Sequence, residues 1–365
     1  MKFQDEFRDS TLVQGLANAI ARKAAQLSSQ ISFMEVCGTH TMAIARFGLK
    51  SLLPESIRLI SGPGCPVCVT PISYIDQALL LTERPDTILT TFGDLMRVPG
   101  SQAESLINKR AAGADVRIVY SALDAVRLAS DLPDKQIVFL GVGFETTTPT
   151  IAAAIMQADK LGLRNFSVLT SHKTMPAPML ELSRKPGLQL NGYLCPAHVS
   201  TVIGSNAYLP ISRNCHIPCV ITGFEPADLL QGIALLLEQH LKGISEVDNQ
   251  YARAVTSHGN LKAQQLINTV FEPADAVWRG LGSIPASGLE LRPTFHQFDA
   301  SKLLPAPIAR SQEPAGCRCG EILTGQLSPR DCPLFDQICT PETPVGACMV
   351  SSEGSCAAAW KYGDR

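Results

Sequence analysis

The chain alternates short apolar runs with longer segments of helical period. The runs are rich in Ile, Val, Leu, Phe and Thr, and they cover residues 31–36, 57–60, 87–92, 116–120, 136–142, 166–170, 192–194 and 219–222. Runs of this length and composition are typical of buried parallel strands. Because open α/β sheets place their functional residues beyond the carboxyl ends of strands, the side chains that follow each run are the first candidates for function.

Helical segments lie between most of these runs. Ser10 can cap a first helix that extends to about Leu27, with apolar side chains on one face. Further helices are predicted at 74–81, 101–112 and 226–241. Strands that alternate with helices predict parallel sheets in α/β units. A repeated Gly-Phe-Glu at 143–145 and 223–225 suggests two related halves, although so short a match is weak support.

The pattern changes after residue 241. Residues 249–258 and 261–271 have helical character, and from Pro273 the chain is loop-rich with a short apolar passage at 284–291. We therefore predict an N-terminal helix at 1–30 that packs with the C-terminal domain, an α/β domain at 31–130, a second α/β domain at 131–245, and a helical, cysteine-rich domain at 246–365. The predicted fold class is α/β, with two Rossmann-like parallel-sheet units and a loop-rich tail.

Composition limits the class of partner. The chain has 365 residues, with 31 Lys plus Arg against 33 Asp plus Glu and no dense basic patch, so no nucleic-acid partner is expected. It lacks an apolar run of about 18 residues, and its first ten residues are too polar for a secretory signal, so we expect a cytoplasmic protein without a membrane span. In that reducing compartment its 12 cysteines are better explained as metal ligands or redox thiols than as structural disulfides.

Half of the cysteines lie in the last fifty residues. They are Cys317, Cys319, Cys332, Cys339, Cys348 and Cys356. This Pro- and Gly-rich segment cannot bury much apolar surface by itself, so a group bound to the sulfurs is expected to order it. Four thiolates suit an iron–sulfur cluster or a zinc ion, and free or disulfide-paired thiols are the remaining alternative. Spacing alone does not select four ligands from six.

Two shorter cysteine motifs follow predicted strands. Cys65 and Cys68 form a Cys-x2-Cys between glycines and prolines, which favours reversible thiol–disulfide exchange; half of a zinc site and an inert turn are the alternatives. Cys37 and His40 form a Cys-x-x-His, which suits an activated nucleophile or a soft metal site. For an isolated motif of this kind, a buried cysteine and a hydrogen-bonded surface histidine are the better interpretation.

Other polar positions carry weaker signals. A zinc site could be formed by Cys195, His198, Cys215, His216 and Cys219. Packing of these side chains at strand ends and turns is the favoured alternative. Glu145 and the threonines after it suit anion binding or capping of the next helix. His172 and Lys173 suit an anionic ligand, and an exposed polar loop explains them equally well. The sequence contains no Gly-x-Gly-x-x-Gly or Walker loop, so a nucleotide is not indicated.

Four motifs occur together in a characteristic order. They are Cys37-Gly38-Thr39-His40, GPGCPVC at 62–68, GFETTTP at 143–149, and a tail with PVGAC at 344–348 and EGSC at 353–356. In this combination the chain resembles the HypD family of hydrogenase maturation factors over essentially its whole length, with no departure at the cysteines. The resemblance implies a cytoplasmic scaffold on which the Fe(CN)2CO unit of [NiFe]-hydrogenase is assembled, with redox activity; whether such a chain is itself an enzyme stays open.

The resemblance also implies roles for the two short motifs. Cys37 becomes the thiolate that holds iron, with His40 beside it, and Cys65 and Cys68 become a redox dithiol. The implied partners are a HypC-like small chaperone, which helps to hold the iron, and a HypE-like donor of cyanide made with HypF. Iron that carries cyanide and carbonyl is a soft centre, which thiolates from two proteins serve well.

For the tail, the resemblance implies an iron–sulfur domain formed with the N-terminal helix. Cys319 and Cys348 become an additional redox pair. The implied [4Fe-4S] ligands are Cys317, Cys332, Cys339 and Cys356. In this hypothesis electrons pass from the cluster through the dithiol to the site at Cys37. A zinc-dependent enzyme and a plain thiol–disulfide oxidoreductase remain as alternatives from other functional classes.

Overall fold

Eleven strands in the described part of the chain assemble into two sheets. The computed structural model describes residues 5–185, 187–304 and 311–363. The strands there are β1 (Ile31–Glu35), β2 (Ile57–Ser61), β3 (Thr87–Thr91), β4 (Val116–Ile118), β5 (Gln136–Gly143), β6 (Phe166–Lys173), β7 (Gly192–Pro196), β8 (Cys219–Thr222), β9 (Val247–Asn249), β10 (Phe271–Trp278) and β11 (Gly282–Leu291). The eight predicted runs correspond to β1 through β8.

Helices connect most of the strands. They are α1 (Ser10–Ala24), α2 (Gly38–Arg46), α3 (Pro66–Val69), α4 (Ile72–Leu81), α5 (Leu106–Ala111), α6 (Ala122–Asp131), α7 (Thr148–Lys160), α8 (Pro176–Ser183), α9 (Ala197–Ile203), α10 (Leu209–Cys215), α11 (Pro226–Lys242), α12 (Leu261–Val270), α13 (Cys319–Leu323), α14 (Ala347–Val350) and α15 (Ser355–Tyr362). Short 3-10 turns lie at Glu6–Arg8, Leu49–Leu52, Gly93–Arg97, Ser205–Tyr208, Pro293–Phe298, Ala300–Leu303 and Pro329–Asp331. Within the ranges that the structure describes, none of the helices has the length and apolar composition needed to cross a bilayer.

The first sheet is parallel throughout. Its strands are ordered β2-β1-β7-β8-β9. The register pairs Phe33 of β1 with Leu59 of β2 on one side and with Gly192 of β7 on the other. Because β1 and β7 are neighbours, the loops that follow them meet at the same edge of the sheet.

The second sheet is mixed. Its order is β10-β11-β6-β5-β3-β4, with β3 to β6 parallel and β10 and β11 forming an antiparallel hairpin next to β6. The strands β5 and β6 are buried along nearly their whole length, as parallel strands covered on both faces must be. The fold class is therefore α/β with Rossmann-like parallel sheets, as the alternating pattern predicts.

The two sheets draw on interleaved parts of the chain. The first takes strands from residues 31–61 and 192–249, and the second takes strands from residues 87–173 and 271–291. The boundaries predicted at 31–130 and 131–245 therefore do not follow the sheets. Alternation of strands and helices locates the elements, whereas the choice of neighbouring strand depends on packing between distant segments.

The N-terminal helix packs on α11. Ile20 and Ala24 of α1 share a buried apolar cluster with Leu229 and Ile233 of α11. At the rim of this contact, the Nζ of Lys23 lies 2.7 Å from a carboxylate oxygen of Glu238. The prediction that the N-terminal helix packs with the C-terminal domain is therefore wrong, because α1 packs on the apolar stripe of α11.

The region after α11 differs most from its prediction. Helix α12 confirms the helical segment at 261–271, but 249–258 continues from β9 into turns and is not helical. The expected loop from Pro273 onward is instead largely the hairpin β10–β11. Side chains such as Asp275 and Val277 are exposed on this hairpin. Its strands therefore lack the continuous apolar run by which the buried strands were recognised.

The cysteine-rich tail packs against the helices that follow β1 and β2. Helix α15 contacts α2, and α14 contacts α3. Buried tail residues such as Cys348 and Met349 belong to the same apolar cluster as Met34 of the first sheet and Leu140 of the second. The tail thereby reaches the loops that carry the two short cysteine motifs.

Candidate functional site

Two glycine-containing loops hold Cys37 at the carboxyl end of β1. Cys37 is the extended N-cap residue of α2 and is 2% exposed. The next residue, Gly38, donates its N–H to the carbonyl of Gly64 at 3.0 Å. A Cβ on Gly64 would lie 2.1 Å from the backbone nitrogen of Cys37, so only glycine permits this approach. The loop after β1 and the loop after β2 are consequently in direct backbone contact.

The imidazole of His198 contacts this thiol. Its Nδ1 lies 4.0 Å from the Sγ of Cys37, and its ring packs 5.2 Å from that of Phe224. Burial raises the pKa of Cys37 to about 12, and burial lowers the pKa of His198 to about 4. Both groups are therefore neutral near pH 7 when no metal is bound.

The ring of His40 is held by backbone carbonyl groups. It is fully buried on α2, and its Nε2 lies 3.1 Å and 3.0 Å from the backbone carbonyls of Thr222 and Gly223. Burial, followed by the charge of His198, lowers the pKa of His40 to about 3. The neutral ring thus donates to the loop after β8 and secures α2 against it.

Cys65 and Cys68 are joined in a disulfide at the start of α3. Cys65 is the N-cap residue, and its Sγ accepts the N–H of Cys68 at 3.2 Å. A Cβ added to Gly38 would lie 3.2 Å from the Cβ of Cys65, which shows how closely the disulfide approaches the Cys37 loop. On its other side, the Sγ of Cys68 lies 3.9 Å from the carbonyl oxygen of Ala347 in α14. The disulfide therefore lies between the Cys37 loop and the tail.

All six tail cysteines line one small cavity. They are Cys317, Cys319, Cys332, Cys339, Cys348 and Cys356, and the apolar side chains among them are Ile322, Leu334, Phe335 and Met349. Within this set the Sγ atoms of Cys319 and Cys348 are 2.7 Å apart. A Cβ on Gly346 would lie 2.8 Å from the Sγ of Cys317, so glycine is required for the chain to pass the sulfurs.

The thiols in this cavity shift each other's proton affinity. Hydrogen bonds from Cys317 and Cys348 lower the pKa of Cys319. The same contacts with Cys319 raise the pKa of Cys317 and of Cys348, and burial raises both further. Among Cys317, Cys319 and Cys348, Cys319 is thus the thiol whose pKa is lowered.

An open cavity of about 410 Å³ lies beside the Cys37 loop. Its lining residues are Thr39, Gly64, Pro66, Phe144, Thr146, Thr147, His198, Phe224 and Glu353. Thr39 donates to a carboxylate oxygen of Glu353 at 2.6 Å, which ties α2 to the tail. Burial raises the pKa of Glu353. This carboxyl therefore holds its proton more tightly than an exposed glutamate does and carries less negative charge.

Comparison with known proteins decides the family. The model of the family "HypD: Hydrogenase formation hypA family" matches residues 11–363. The chain belongs to the HypD family. The hydrogenase maturation factor HypD of Azotobacter vinelandii is 50% identical over 369 residues, which cover 100% of this chain and 97% of that protein. That of Escherichia coli K12 is 47% identical over 368 residues, which cover 99% and 98%.

Three predicted sulfur groups of this HypD-family chain come together at one end of the sheets: Cys37, the Cys65–Cys68 pair and the tail cysteines. The disulfide contacts the Cys37 loop on one side and the tail on the other. His198, which the sequence placed only in a doubtful zinc set, is the residue that the prediction missed. A usable signal existed, because His198 follows the apolar run at 192–194 just as Cys37 follows the run at 31–36.

The remaining weak candidates do not form a site with Cys37. Cys195 and Cys219 are fully buried, and His216 ends α10 in a left-handed conformation with φ 54°. Among the residues described, no group of three or more Cys, His, Asp or Glu side chains has the arrangement of a single-ion metal site. His172 and Lys173 are 1% and 4% exposed, so the alternative of an exposed polar loop is wrong.

Proposed function

We propose that this chain is a scaffold for assembly of the Fe(CN)2CO unit of [NiFe]-hydrogenase, working in the cytoplasm. The observation that carries the proposal is the arrangement of three sulfur groups. Cys37 lies next to an open cavity, the Cys65–Cys68 disulfide adjoins its loop, and six further cysteines lie behind that disulfide. Family membership supports the same role, since the relatives are hydrogenase maturation factors.

Cys37 is the residue that would hold the iron cargo. Iron(II) with cyanide and carbonyl ligands is a soft centre, which a thiolate binds well. Because the buried thiol is protonated in the absence of metal, binding of iron releases a proton. Thr39, Gly64 and His198 line the cavity beside buried Cys37, and the thiolate of a HypC-like chaperone and a HypE-like cyanide donor would approach the iron from this side.

The donor set of the tail is compatible with a [4Fe-4S] cluster. Six sulfurs surround one cavity, and a cluster needs four thiolates. Cys317, Cys332, Cys339 and Cys356 would hold the cluster, which would supply electrons one at a time. This assignment leaves Cys319 and Cys348 as a pair with adjacent sulfurs.

The two cysteine pairs can then exchange two electrons. A thiolate of the Cys319–Cys348 pair attacks the Cys65–Cys68 disulfide and forms a mixed disulfide, and the second thiol resolves it. The products are a Cys319–Cys348 disulfide and two thiols at Cys65 and Cys68, so atoms and electrons balance. Cys68 of α3 lies 3.9 Å from the carbonyl oxygen of Ala347, the residue before Cys348 in α14, so one cysteine of each pair lies on neighbouring helices. The regenerated dithiol adjoins the Cys37 loop, where a reductant keeps iron ferrous.

Infrared spectroscopy tests the proposal. Anaerobically purified protein with its small partner should show bands of cyanide and carbonyl bound to iron. Cys37→Ala should remove these bands and leave the visible absorption of the cluster unchanged. Protein that lacks the bands in the wild type, or a Cys37→Ala variant that retains them, would overturn the role of Cys37.

The observed disulfide supports one second candidate, a plain thiol–disulfide oxidoreductase. That function requires turnover of model disulfides without partner proteins and activity that survives loss of the tail cysteines. Cys65 and Cys68 are 3% and 0% exposed, so exchange with an external disulfide would require their loop to open. An assay with a model disulfide separates the two functions.

A further inference from the structure

A second large cavity lies away from the sulfur groups. It has a volume of about 480 Å³ and lies between α8, α9, α12 and the hairpin β10–β11. Its walls are mainly apolar, and they include Ala177, Leu180, Val202, Ile203, Ile267 and Leu289. A cavity of this size and composition is typical of sites that bind small molecules.

Glu145 is the one ionisable group among the residues that line this cavity. The residue is 5% exposed, and its Oε1 accepts the backbone N–H of Met175 at 3.0 Å. Its Oε2 is buried and has no hydrogen-bond partner in the described structure. A buried carboxyl oxygen without a partner costs free energy, and a ligand that donates to it recovers that cost.

Burial also raises the pKa of Glu145 to about 7. In an empty cavity the carboxyl is therefore divided between its charged and neutral forms near neutral pH. A cationic ligand would favour the carboxylate and pair with it in a site of low polarity, where a charge-assisted hydrogen bond is strong. An anionic ligand would meet repulsion from the same group.

We propose that this cavity binds a small, mainly apolar molecule with an amine or amidine cation, whose N–H groups donate to Glu145. The apolar body of the ligand packs on Ala177, Leu180 and Ile267, and the cation pairs with the Glu145 carboxyl at the cavity wall. This site is distinct from the cavity beside Cys37, although Phe144 and Thr146, the two neighbours of Glu145 in sequence, line that other cavity. The proposal does not depend on the assembly function.

Calorimetric titration of the full-length protein with benzamidinium tests the site. This probe has one apolar ring and a planar cation that matches a carboxylate. We expect saturable binding of one molecule, at least tenfold weaker binding to Glu145→Gln, and no loss with Glu181→Gln. Glu181 is an exposed carboxylate on the same helix as Ala177 and is the matched control.

Two further measurements make the result decisive. Ala177→Phe should fill the cavity and abolish binding, with circular dichroism to confirm that the variant is folded; if it does not fold, Glu145→Gln alone decides. Benzyl alcohol, a neutral probe of similar size, should bind at least tenfold more weakly than benzamidinium. The proposal is wrong if the wild type shows no saturable binding at millimolar benzamidinium, if Glu145→Gln binds as tightly as the wild type, or if the two probes bind equally.

Discussion

The thiol of Cys37 and the Nδ1 of His198 lie 4.0 Å apart across 161 residues of sequence. The two residues meet because each follows a strand of the first sheet, β1 or β7, and these strands are neighbours. His40, only three residues from Cys37, instead donates to backbone carbonyls of the loop after β8. The geometry therefore gives the two histidines different roles, one beside the thiol and one in the support of its helix.

Replacement of each histidine by alanine separates these roles. If Cys37 holds iron as proposed, His198→Ala should reduce formation of the iron centre by about 10- to 100-fold, which is typical of residues that support a metal ligand, and should leave stability nearly unchanged. His40→Ala should lower the free energy of unfolding by about 1 to 3 kcal/mol, because buried carbonyl groups lose their donor. Infrared band intensity reports the first effect and denaturant unfolding reports the second. If both variants lost the infrared bands equally and neither lost stability, the two histidines would not have the different roles described.

Contact between the Cys37 and Cys65 loops depends on a glycine. Gly64→Ala would place a Cβ 2.1 Å from the backbone nitrogen of Cys37, and backbone atoms cannot move aside as a flexible side chain can. We expect a loss of stability of about 3 kcal/mol or more, or failure to fold. Gly93→Ala is the matched control, since no atom lies within 4 Å of its added Cβ. If the two variants have the same unfolding midpoint in denaturant, the loops are not held in the contact described.

Much of the fold was accessible from the sequence, for a physical reason. Strands such as β5, β7 and β8 are nearly continuous apolar runs, because parallel strands inside a sheet are covered on both faces, and α11 has a clear apolar stripe. Strand pairing was not accessible, since β1 pairs with β7 through contacts that no local pattern encodes. The hairpin β10–β11 was missed because it is partly exposed and contains proline and glycine.

The candidate site shows the same division. Cys37, Cys65 and Cys68 were found because they stand in dense motifs directly after strand runs. The position of His198 depends on which strands are neighbours, so its motif could be seen but its partner could not. In the tail, the close approach of Cys319 and Cys348 depends on how loops of irregular structure fold back, which residue spacing does not determine.

The proposed assignment of the tail cysteines predicts two opposite phenotypes. Cys332→Ser should lose iron and visible absorption, because a cluster ligand is removed. Cys319→Ser should retain the cluster and abolish reduction of the Cys65–Cys68 disulfide, because the attacking thiol pair is incomplete. Iron analysis, the visible spectrum and mass spectrometry of alkylated thiols measure these outcomes. Loss of iron from Cys319→Ser with retention in Cys332→Ser would show that the two assignments must be exchanged.

Acid stability provides a test of the buried interior at His172. Neither ring nitrogen has a hydrogen-bond partner among the described residues, and the ring packs 5.0 Å from that of Phe271. Burial, followed by the charge of Lys173, lowers the pKa of His172 from 6.5 to about 3. Between these values the unfolded chain binds a proton that the folded chain does not. The stabilising effect of a neutral His172 is therefore complete above pH 6.5 and is lost as the pH falls towards 3.

His172→Leu removes this titration and keeps an apolar side chain of similar size. We compare the stability of the variant with that of the wild type at each pH. From pH 7 to pH 5 this difference should shift by about 2 kcal/mol in favour of the variant, since each pKa unit corresponds to about 1.4 kcal/mol. Exposed His258 is the matched control, and His258→Gln should follow the wild type at both values. Urea unfolding at pH 7 and pH 5 measures the difference. Parallel pH profiles of stability for His172→Leu and the wild type would contradict this prediction, because His172 would then be protonated in the folded protein. A protonated ring would need an anionic partner or water, whereas the structure has Phe271 and Gly141 around it.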